Sequence, residues 1–225
     1  PYISRGVIST SFILQEILKK GYKPDQIEKF IQELAWRDYW QQVWINKKNL
    51  INNDLKHTQK SVANHSISKV IVEAKTGIIA IDNAVNELYK TGYMHNRSRL
   101  ITCNFLNRLL GLDWRWSEVY YAKMLTDYDP AVNNGNHQWV ASVGVDPKPY
   151  FQRLFNPWLQ SKKFDNDCEY IKKWIPELKD IPDKEVHKWE DYYHNYDLKK
   201  INYFKPIVDY KQARKESIKM YKAVL

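Results

Sequence analysis

The residues best suited to chemistry lie in the stretch 126–139, which reads TDYDPAVNNGNHQW. Asp127 and Asp129 can accept hydrogen bonds of the kind that a ribose hydroxyl or a ring N–H donates. Asn133 and Asn134 can both donate and accept, which suits a ring nitrogen whose protonation changes. The same spacing also fits an Asx-turn followed by a helix N-cap. It lacks the D-x-[DN]-x-[DN]-G pattern with a trailing glutamate of a calcium loop, and we expect no metal site.

A second set of residues lies on a predicted long helix. Glu33, Trp36, Arg37 and Trp40 recur at spacings of three and four residues, so they share one side of that helix. A carboxylate beside a large ring and a guanidinium could bind a stacked base and its phosphate. The same spacing fits an ion pair between Glu33 and Arg37 above a tryptophan buried in the core. Taken alone, the residues favour this second interpretation.

A third candidate is the segment 92–99, GYMHNRSR, which opens another predicted helix. Its first amides and the guanidinium groups of Arg97 and Arg99 would favour an anionic group, although a helix start with a solvated basic face explains the same residues. The sequence contains no G-x-G-x-x-G, Walker GK[ST], G-x-S-x-G or HExxH motif. Rossmann and P-loop nucleotide sites and hydrolase chemistry are therefore not indicated.

The composition is that of a basic, aromatic-rich globular protein of 225 residues with a formal net charge of +9. An excess of positive charge favours a polyanionic partner. The 9 tryptophans and 16 tyrosines could stack on bases or flat cofactors, although we expect most of them in the core. Two distant cysteines, no apolar run of ~18 residues and no leader before Pro1 predict a cytoplasmic protein that does not enter a membrane.

The elements that must position these residues are helices. Apolar residues recur at helical spacing from Pro24 to about Asn46, with proline in the first turn. Capping residues, glycines and periodicity predict further helices over 9–20, 78–90, 95–110, 115–126, 167–175 and 209–224. Residues 47–65 are predicted to form a surface loop, and 127–165 a loop-rich region with short helices. Because no strand pair or βαβ alternation is visible, the sequence predicts an all-α fold.

In order and spacing, these segments resemble the FAD-binding helical domain of the photolyase/cryptochrome family, whose D-x-D-x-x-x-N-N-G run matches 127–135. The resemblance extends over 1–225 as one domain. It is carried by motifs at 1–9, 33–39, 75–82, 91–99, 113–115, 127–139, 149–165, 174–178 and 206–214. It places two family elements before Pro1, namely the T-S-x-L-S phosphate loop and the N-terminal α/β antenna domain.

The resemblance implies a U-shaped FAD held among the helices, with Asn133 facing flavin N5 and Asp127 paired with Arg99. The cofactor-binding positions that it implies are Phe30, Arg99, Asp127, Asp129 and Asn133. The catalytic positions are Glu33, Trp36, Asn96 and Asn133. The DNA-binding positions are Glu33, Trp36, Arg37, Asn96, Arg97, Trp139 and Gln160.

The function that the resemblance implies is light-driven repair of pyrimidine photoproducts in DNA by a monomer. The photoproduct is flipped out of the duplex, reduced FAD donates an electron, the dimer splits, and the electron returns. Two alternatives stay open. One is a cryptochrome-like flavoprotein that signals or binds a partner without repair. The other is a flavin-free helical DNA-binding domain.

The chain departs from the family in its electron-transfer residues. Photolyases usually relay electrons to the flavin through three tryptophans. Here Trp114 matches the middle position, His137 replaces the ring nearest the flavin, and Ile71 aligns with the outer position. Imidazole and alkyl groups carry an electron hole far less well than indole does. The resemblance therefore predicts that the usual photoreduction is slow or absent.

Overall fold

The computed structural model describes residues 1–47, 49–50, 52–55, 65–145 and 154–223, with only the backbone for 65–68. Within these ranges all regular structure is helical, which confirms the all-α prediction. The helices are α1 Thr10–Lys19, α2 Pro24–Asn46, α3 His65–Val72, α4 Ile79–Thr91, α5 Asn96–Asn104, α6 Trp114–Met124, α7 Pro130–Ala141, α8 Pro157–Phe164, α9 Glu169–Trp174, α10 Asp183–Val186, α11 Trp189–Tyr192, α12 Leu198–Ile201 and α13 Tyr210–Lys222. No helix in the described part of the chain is long and apolar enough to span a membrane.

Local capping chemistry explains where the predicted helices begin and end. The Ser9 hydroxyl accepts a hydrogen bond from the Phe12 amide at 3.1 Å, which caps α1. Pro24 occupies the first turn of α2, where its missing N–H costs nothing. Gly92 ends α4 with φ of 67°, a left-handed conformation that favours glycine. The helix predicted over 95–110 is α5 continued by a π-helix, Phe105–Leu109.

Two main clusters of buried side chains, with a small third one around Trp114, hold the helices together. The larger one joins α3, α4, α5 and the π-helix to the C-terminal segments, with Ile71, Phe105 and Trp189 among its members. The smaller one connects α4, α5, α6 and α7 through residues that include Cys103 and Tyr121. Burial of apolar surface is the main favourable contribution to folding. These clusters therefore form the rigid core against which α7 packs.

The buried carboxylate of Asp82 fixes the start of α4. It accepts hydrogen bonds from Thr76 Oγ1 at 2.7 Å, the Gly77 amide at 2.9 Å and the Tyr203 hydroxyl at 2.7 Å. Burial raises the pKa of Asp82 to about 6, although these donors oppose the rise. The carboxylate thereby ties the segment before α4 to a residue more than a hundred positions later.

The predicted apolar face of α2 is buried far less than its periodicity suggests. Trp40 is the helix's one buried residue, whereas Phe30, Trp36 and Tyr39 are 45%, 54% and 41% exposed. Contact with α7 is made around Trp40, whose indole packs on Gly135 so closely that a Cβ there would overlap it. The exposed rings lie on the part of α2 that is not covered in this way.

The sequence-based prediction is incomplete in three regions. The region predicted to be loop-rich with short helices contains the 12-residue helix α7, because Asp129 and Pro130 form its N-cap and first turn. The predicted loop 47–65 falls largely outside the described residues, and α3 begins at its end. Short helical segments between 176 and 201, too brief to show periodicity, were not predicted.

The packing of Trp40 on Gly135 predicts that Gly135→Ala destabilises the fold by about 1–3 kcal/mol, because the added methyl overpacks the contact between α2 and α7. Urea unfolding measures this cost. In a Trp40→Leu background the same substitution is expected to cost much less, since no indole stands in the way. An equal cost in both backgrounds would mean that the overlap with the indole is not the cause.

Candidate functional site

A cavity of about 460 Å³ lies between α2 and the end of α7. Its size is in the range of pockets that bind small molecules. Trp36 and Tyr39 meet edge to face on one wall, with ring centres 5.6 Å apart. The lining residues are Gln32, Ala35, Trp36, Tyr39, Trp139 and Val145. Flat aromatic walls of this kind favour a ring system as the ligand.

Asp129 connects the two helices that form this cavity. Its Oδ1 accepts hydrogen bonds from the amides of Ala131 and Val132 at 3.0 and 3.2 Å, so it caps α7. Gln41 of α2 donates to both carboxylate oxygens at 2.9 and 2.8 Å, and Arg37 Nε lies 3.9 Å away. The Asx-turn and N-cap interpretation is therefore correct as a description of the structure. The carboxylate serves as a structural anchor in addition to any role toward a ligand.

Asp127 forms an ion pair with Arg99. Arg99 Nη2 donates to both carboxylate oxygens at 2.8 and 3.0 Å, and Arg99 Nε donates to the Met94 carbonyl at 2.7 Å. The side chains of Arg99 and Asp127 are 26% and 20% exposed, so the pair is partly shielded from water. The pair links the start of α5 to the residues before α7.

Asn133 is oriented by a residue that the sequence analysis did not single out. Its Nδ2 donates to Glu118 Oε1 at 3.0 Å and to the Glu118 carbonyl at 3.3 Å. The Tyr128 hydroxyl donates to the same carboxylate at 3.0 Å. Burial, followed by the charge of Glu118, raises the pKa of Tyr128. This network assigns the amide so that Asn133 Oδ1 accepts no hydrogen bond from the described residues and can accept one from a ligand.

Of the other predicted α2 residues, Trp36 lines the cavity together with Trp139 of α7. Glu33 is exposed one turn earlier and makes no ion pair or hydrogen bond within the described chain, so the alternative Glu33–Arg37 pair does not form. Arg37 instead donates to Asp38 at 3.2 Å. The carboxylate of Glu33 is therefore exposed on α2 and available to a ligand.

Three predicted residues lie elsewhere, on α5 and α8. Asn96 is exposed at the first position of α5. The Arg97 guanidinium stacks over the Phe164 ring at 4.8 Å, and the Arg97 amide donates to His95 Nδ1 at 3.1 Å. His95 therefore caps its own helix and occupies one of the amides that could have bound an anionic group. Gln160 lies on α8 with its Oε1 buried and unpaired among the described residues.

His137 is held as a neutral, buried imidazole. Its Nδ1 lies 2.8 Å from the Asn133 carbonyl, which can only accept, so Nδ1 carries the proton. Its Nε2 then accepts from Cys103 Sγ at 3.2 Å. Burial lowers the pKa of His137 to about 4, and the charge of Arg99 lowers it further against the opposing effect of the Asn133 carbonyl. No pattern in the sequence indicates the contact with Cys103.

Trp114 and Ile71 do not form a route to the surface. Trp114 is fully buried, and its Nε1 donates to Asp54 at 2.7 Å. The Arg115 guanidinium lies 4.7 Å from the Trp114 ring centre. Ile71 is 0% exposed inside the larger apolar cluster. Ile71 is therefore placed as a core residue, and neither its side chain nor its burial offers an electron carrier at the surface.

Comparison with known proteins assigns a family to this arrangement. The family model for the FAD binding domain of DNA photolyase matches residues 30–223. A deoxyribodipyrimidine photo-lyase of Alkalihalophilus pseudofirmus is 37% identical over 230 residues, covering 99% of this chain and 48% of that protein. The chain thus spans about half the length of the relatives it matches.

Two solved structures are similar throughout the chain. A class III photolyase from Agrobacterium tumefaciens has a TM-score of 0.87 at 31% identity, covering 99% of this chain and 48% of that one. A cryptochrome from Synechocystis has a TM-score of 0.89 at 28% identity, covering 98% of this chain and 47% of that one. Both branches of the family therefore share this fold.

The double role of Asp129 predicts that Asp129→Ala costs about 2 kcal/mol of unfolding free energy, about half from the lost N-cap and half from the lost Gln41 contacts. Asp209→Ala is the matched control, because Asp209 caps α13 and bonds only the Gln212 amide. It should cost about 1 kcal/mol. Equal costs in urea unfolding would show that the bond to α2 adds no stability.

The buried His137 predicts a loss of stability in acid. The pKa of His137 is about 4 in the folded chain against an ordinary value of 6.5, so the unfolded chain takes up a proton first as pH falls. The neutral imidazole contributes its full stability at pH values above the ordinary pKa of 6.5. That contribution is lost as the pH falls toward the folded-state pKa of about 4. From about pH 7 to about pH 5, the wild-type protein should lose about 2 kcal/mol that His137→Gln does not lose.

Urea unfolding at the two pH values tests this difference. His194→Gln, a substitution at an exposed histidine, should keep the wild-type loss. Parallel behaviour of the wild-type protein and His137→Gln would contradict the buried neutral state of His137.

Proposed function

Because the chain belongs to the photolyase/cryptochrome family, in the part that forms the FAD-binding domain, we propose that it binds FAD and uses light to reverse pyrimidine photoproducts in DNA. The observation that carries this proposal is the aromatic cavity between α2 and the end of α7, together with the Asp127–Asn133 run at the start of the same helix. This geometry combines ring-stacking surfaces with hydrogen-bonding groups for a heterocycle.

The residues present fit a flavin. Asn133 Oδ1 is an open acceptor beside the cavity-lining helix, and Arg37 Nε is a buried donor that makes no hydrogen bond in the described chain. The residues that would hold the cofactor are Phe30, Arg99, Asp127, Asp129 and Asn133. When bound, FAD supplies the electron-transfer chemistry, and the protein supplies position and electrostatics. Glu118 would fix which face of the Asn133 amide meets the ring.

The two linked pyrimidines of a photoproduct would be bound on the α2 side. Trp36 and Trp139 offer faces on which flipped pyrimidines can stack, and the Glu33 carboxylate can accept hydrogen bonds from their N–H groups. Asn96, Arg97 and Gln160 would lie along the flanking nucleotides, with Arg37 nearest the cavity. The net charge of +9 favours the phosphate backbone.

The second candidate is a cryptochrome-like flavoprotein without repair activity. The similarity to the Synechocystis cryptochrome and the replacement of a tryptophan by His137 favour it. The open Glu33 and the paired tryptophans of the cavity favour repair, since a signalling role has no need of a binding site for a dimer. For either function we infer a cytoplasmic protein, as both cysteines are free and buried, and we propose that it acts as a monomer.

The visible absorption spectrum of the purified protein, before and after incubation with FAD, tests the cofactor. We expect a structured flavin band that remains with the protein on gel filtration. A colourless protein after incubation would contradict the flavin proposal and leave a helical domain that binds DNA or a partner.

Repair is tested with flavin that has been reduced chemically, so that the outcome does not depend on photoreduction. Under blue light the protein should split the pyrimidine dimers in the DNA into separate pyrimidines. The Glu33→Gln substitution should reduce this repair while leaving the flavin spectrum unchanged. Glu216→Gln is the matched control on α13, outside the cavity lining, where the exposed Glu216 accepts a hydrogen bond from Gln212. A reduced, FAD-loaded protein that binds the DNA but repairs none of it would favour the cryptochrome-like function.

A further inference from the structure

Three aromatic rings of α6 form a continuous path that begins at His137. The Tyr121 ring meets His137 edge to face, with centres 5.1 Å apart and planes at 83°. Tyr120 follows, with its ring centre 6.1 Å from that of Tyr121. Trp116 stacks on Tyr120 at 5.8 Å with an interplanar angle of 9°. Each step is a contact between neighbouring π-systems.

The path runs from the interior toward solvent. Tyr121 is 1% exposed, whereas Tyr120 and Trp116 are partly exposed. Tyrosine and tryptophan are the side chains that can lose one electron most readily, and transfer is fastest between rings in contact. An electron path from the surface to a buried site needs a buried ring, a relay and a ring that reaches solvent. Tyr121, Tyr120 and Trp116 provide these in order.

Trp114 is poorly placed to carry electrons between His137 and the surface. No ring contact joins Trp114 to His137 or to any other ring of the described chain. The Arg115 guanidinium at 4.7 Å from its centre opposes a positive hole on the indole, although Asp54 offsets part of this effect. Ile71 offers no ring at all.

We propose that Trp116, Tyr120 and Tyr121 form an electron path that replaces the interrupted tryptophan route and carries electrons from the surface to the flavin. The inference rests on the proposed FAD binding. It assigns a function to three residues of α6 that the family resemblance does not mark.

The redox balance is one electron per event. Trp116 is oxidised by one electron, which passes through Tyr120 and Tyr121 and reduces the photoexcited, oxidised isoalloxazine ring. The Tyr120 hydroxyl is buried and has no acceptor among the described residues, and the Tyr121 hydroxyl donates to the Met94 thioether at 3.4 Å. A thioether is too weak a base to take the proton, so the hole moves on to the Trp116 indole, which can hold it without losing a proton. A small thiol in solution then reduces Trp116.

The test is anaerobic blue-light illumination of the FAD-loaded protein with a thiol present. Trp116→Phe and, separately, Tyr120→Leu should abolish light-driven flavin reduction and the transient absorption of a tryptophan radical. Trp174→Phe is the matched control, a partly exposed indole outside the path. Trp114→Phe should leave the reaction at the wild-type rate. All variants should retain FAD and accept electrons from dithionite in the dark.

Oxidation of individual tryptophans can be located by peptide mass mapping after illumination in air without thiol. Oxygen should be added to Trp116 and not to Trp174. Wild-type photoreduction that survives Trp116→Phe, or that is lost in Trp114→Phe, overturns the path. A flavin-loaded wild-type protein that does not photoreduce overturns it as well, while the repair proposal stands. A protein that takes up no FAD overturns the proposed function and this inference together.

Discussion

The geometry of the cavity depends on one carboxylate. Asp129 closes the first turn of α7 and accepts both hydrogen bonds from Gln41 of α2. Helix α2 buries one side chain, Trp40, so apolar packing alone holds it weakly in place. Charge-assisted hydrogen bonds in a partly buried setting are stronger than neutral ones, and they also fix direction. The two walls of the cavity are therefore held in register by Asp129, with the Trp40–Gly135 contact setting their separation.

The helices that could be predicted from the sequence are those with local start and stop signals. Ser9, Pro24 and Gly92 act on their own neighbours, so their effect is visible in a few letters. The full length of helix α7 was not predicted, because its Asp-Pro and Asn-Gly pairs are typical of turns as well as of a helix start. What decides between the two is the packing of Gly135 on an indole nearly a hundred residues away, which no local pattern contains.

In the candidate site, too, some residues could be predicted from sequence motifs, whereas others are defined only by tertiary contacts. The resemblance indicated the Asp127–Arg99 pair and the position of Asn133. Glu118 escaped notice because a carboxylate inside a helix is usually a solvated residue, and only the fold turns it toward Asn133. Likewise the periodicity of α2 showed which residues are apolar but not what covers them. Phe30 and Trp36 are consequently far more exposed than a core-facing interpretation allows.

Burial keeps His137 neutral, and this affects which residues can carry electrons near it. A charged imidazole is costly in this enclosed site, as its lowered pKa of about 4 indicates, and both ring nitrogens are occupied by Asn133 and Cys103. The residue therefore contributes hydrogen bonds and shape, and it is a poor carrier of a positive hole. An electron that reaches this region must come from a neighbouring ring. In the described chain the ring in contact with His137 is Tyr121, which itself leads outward along α6.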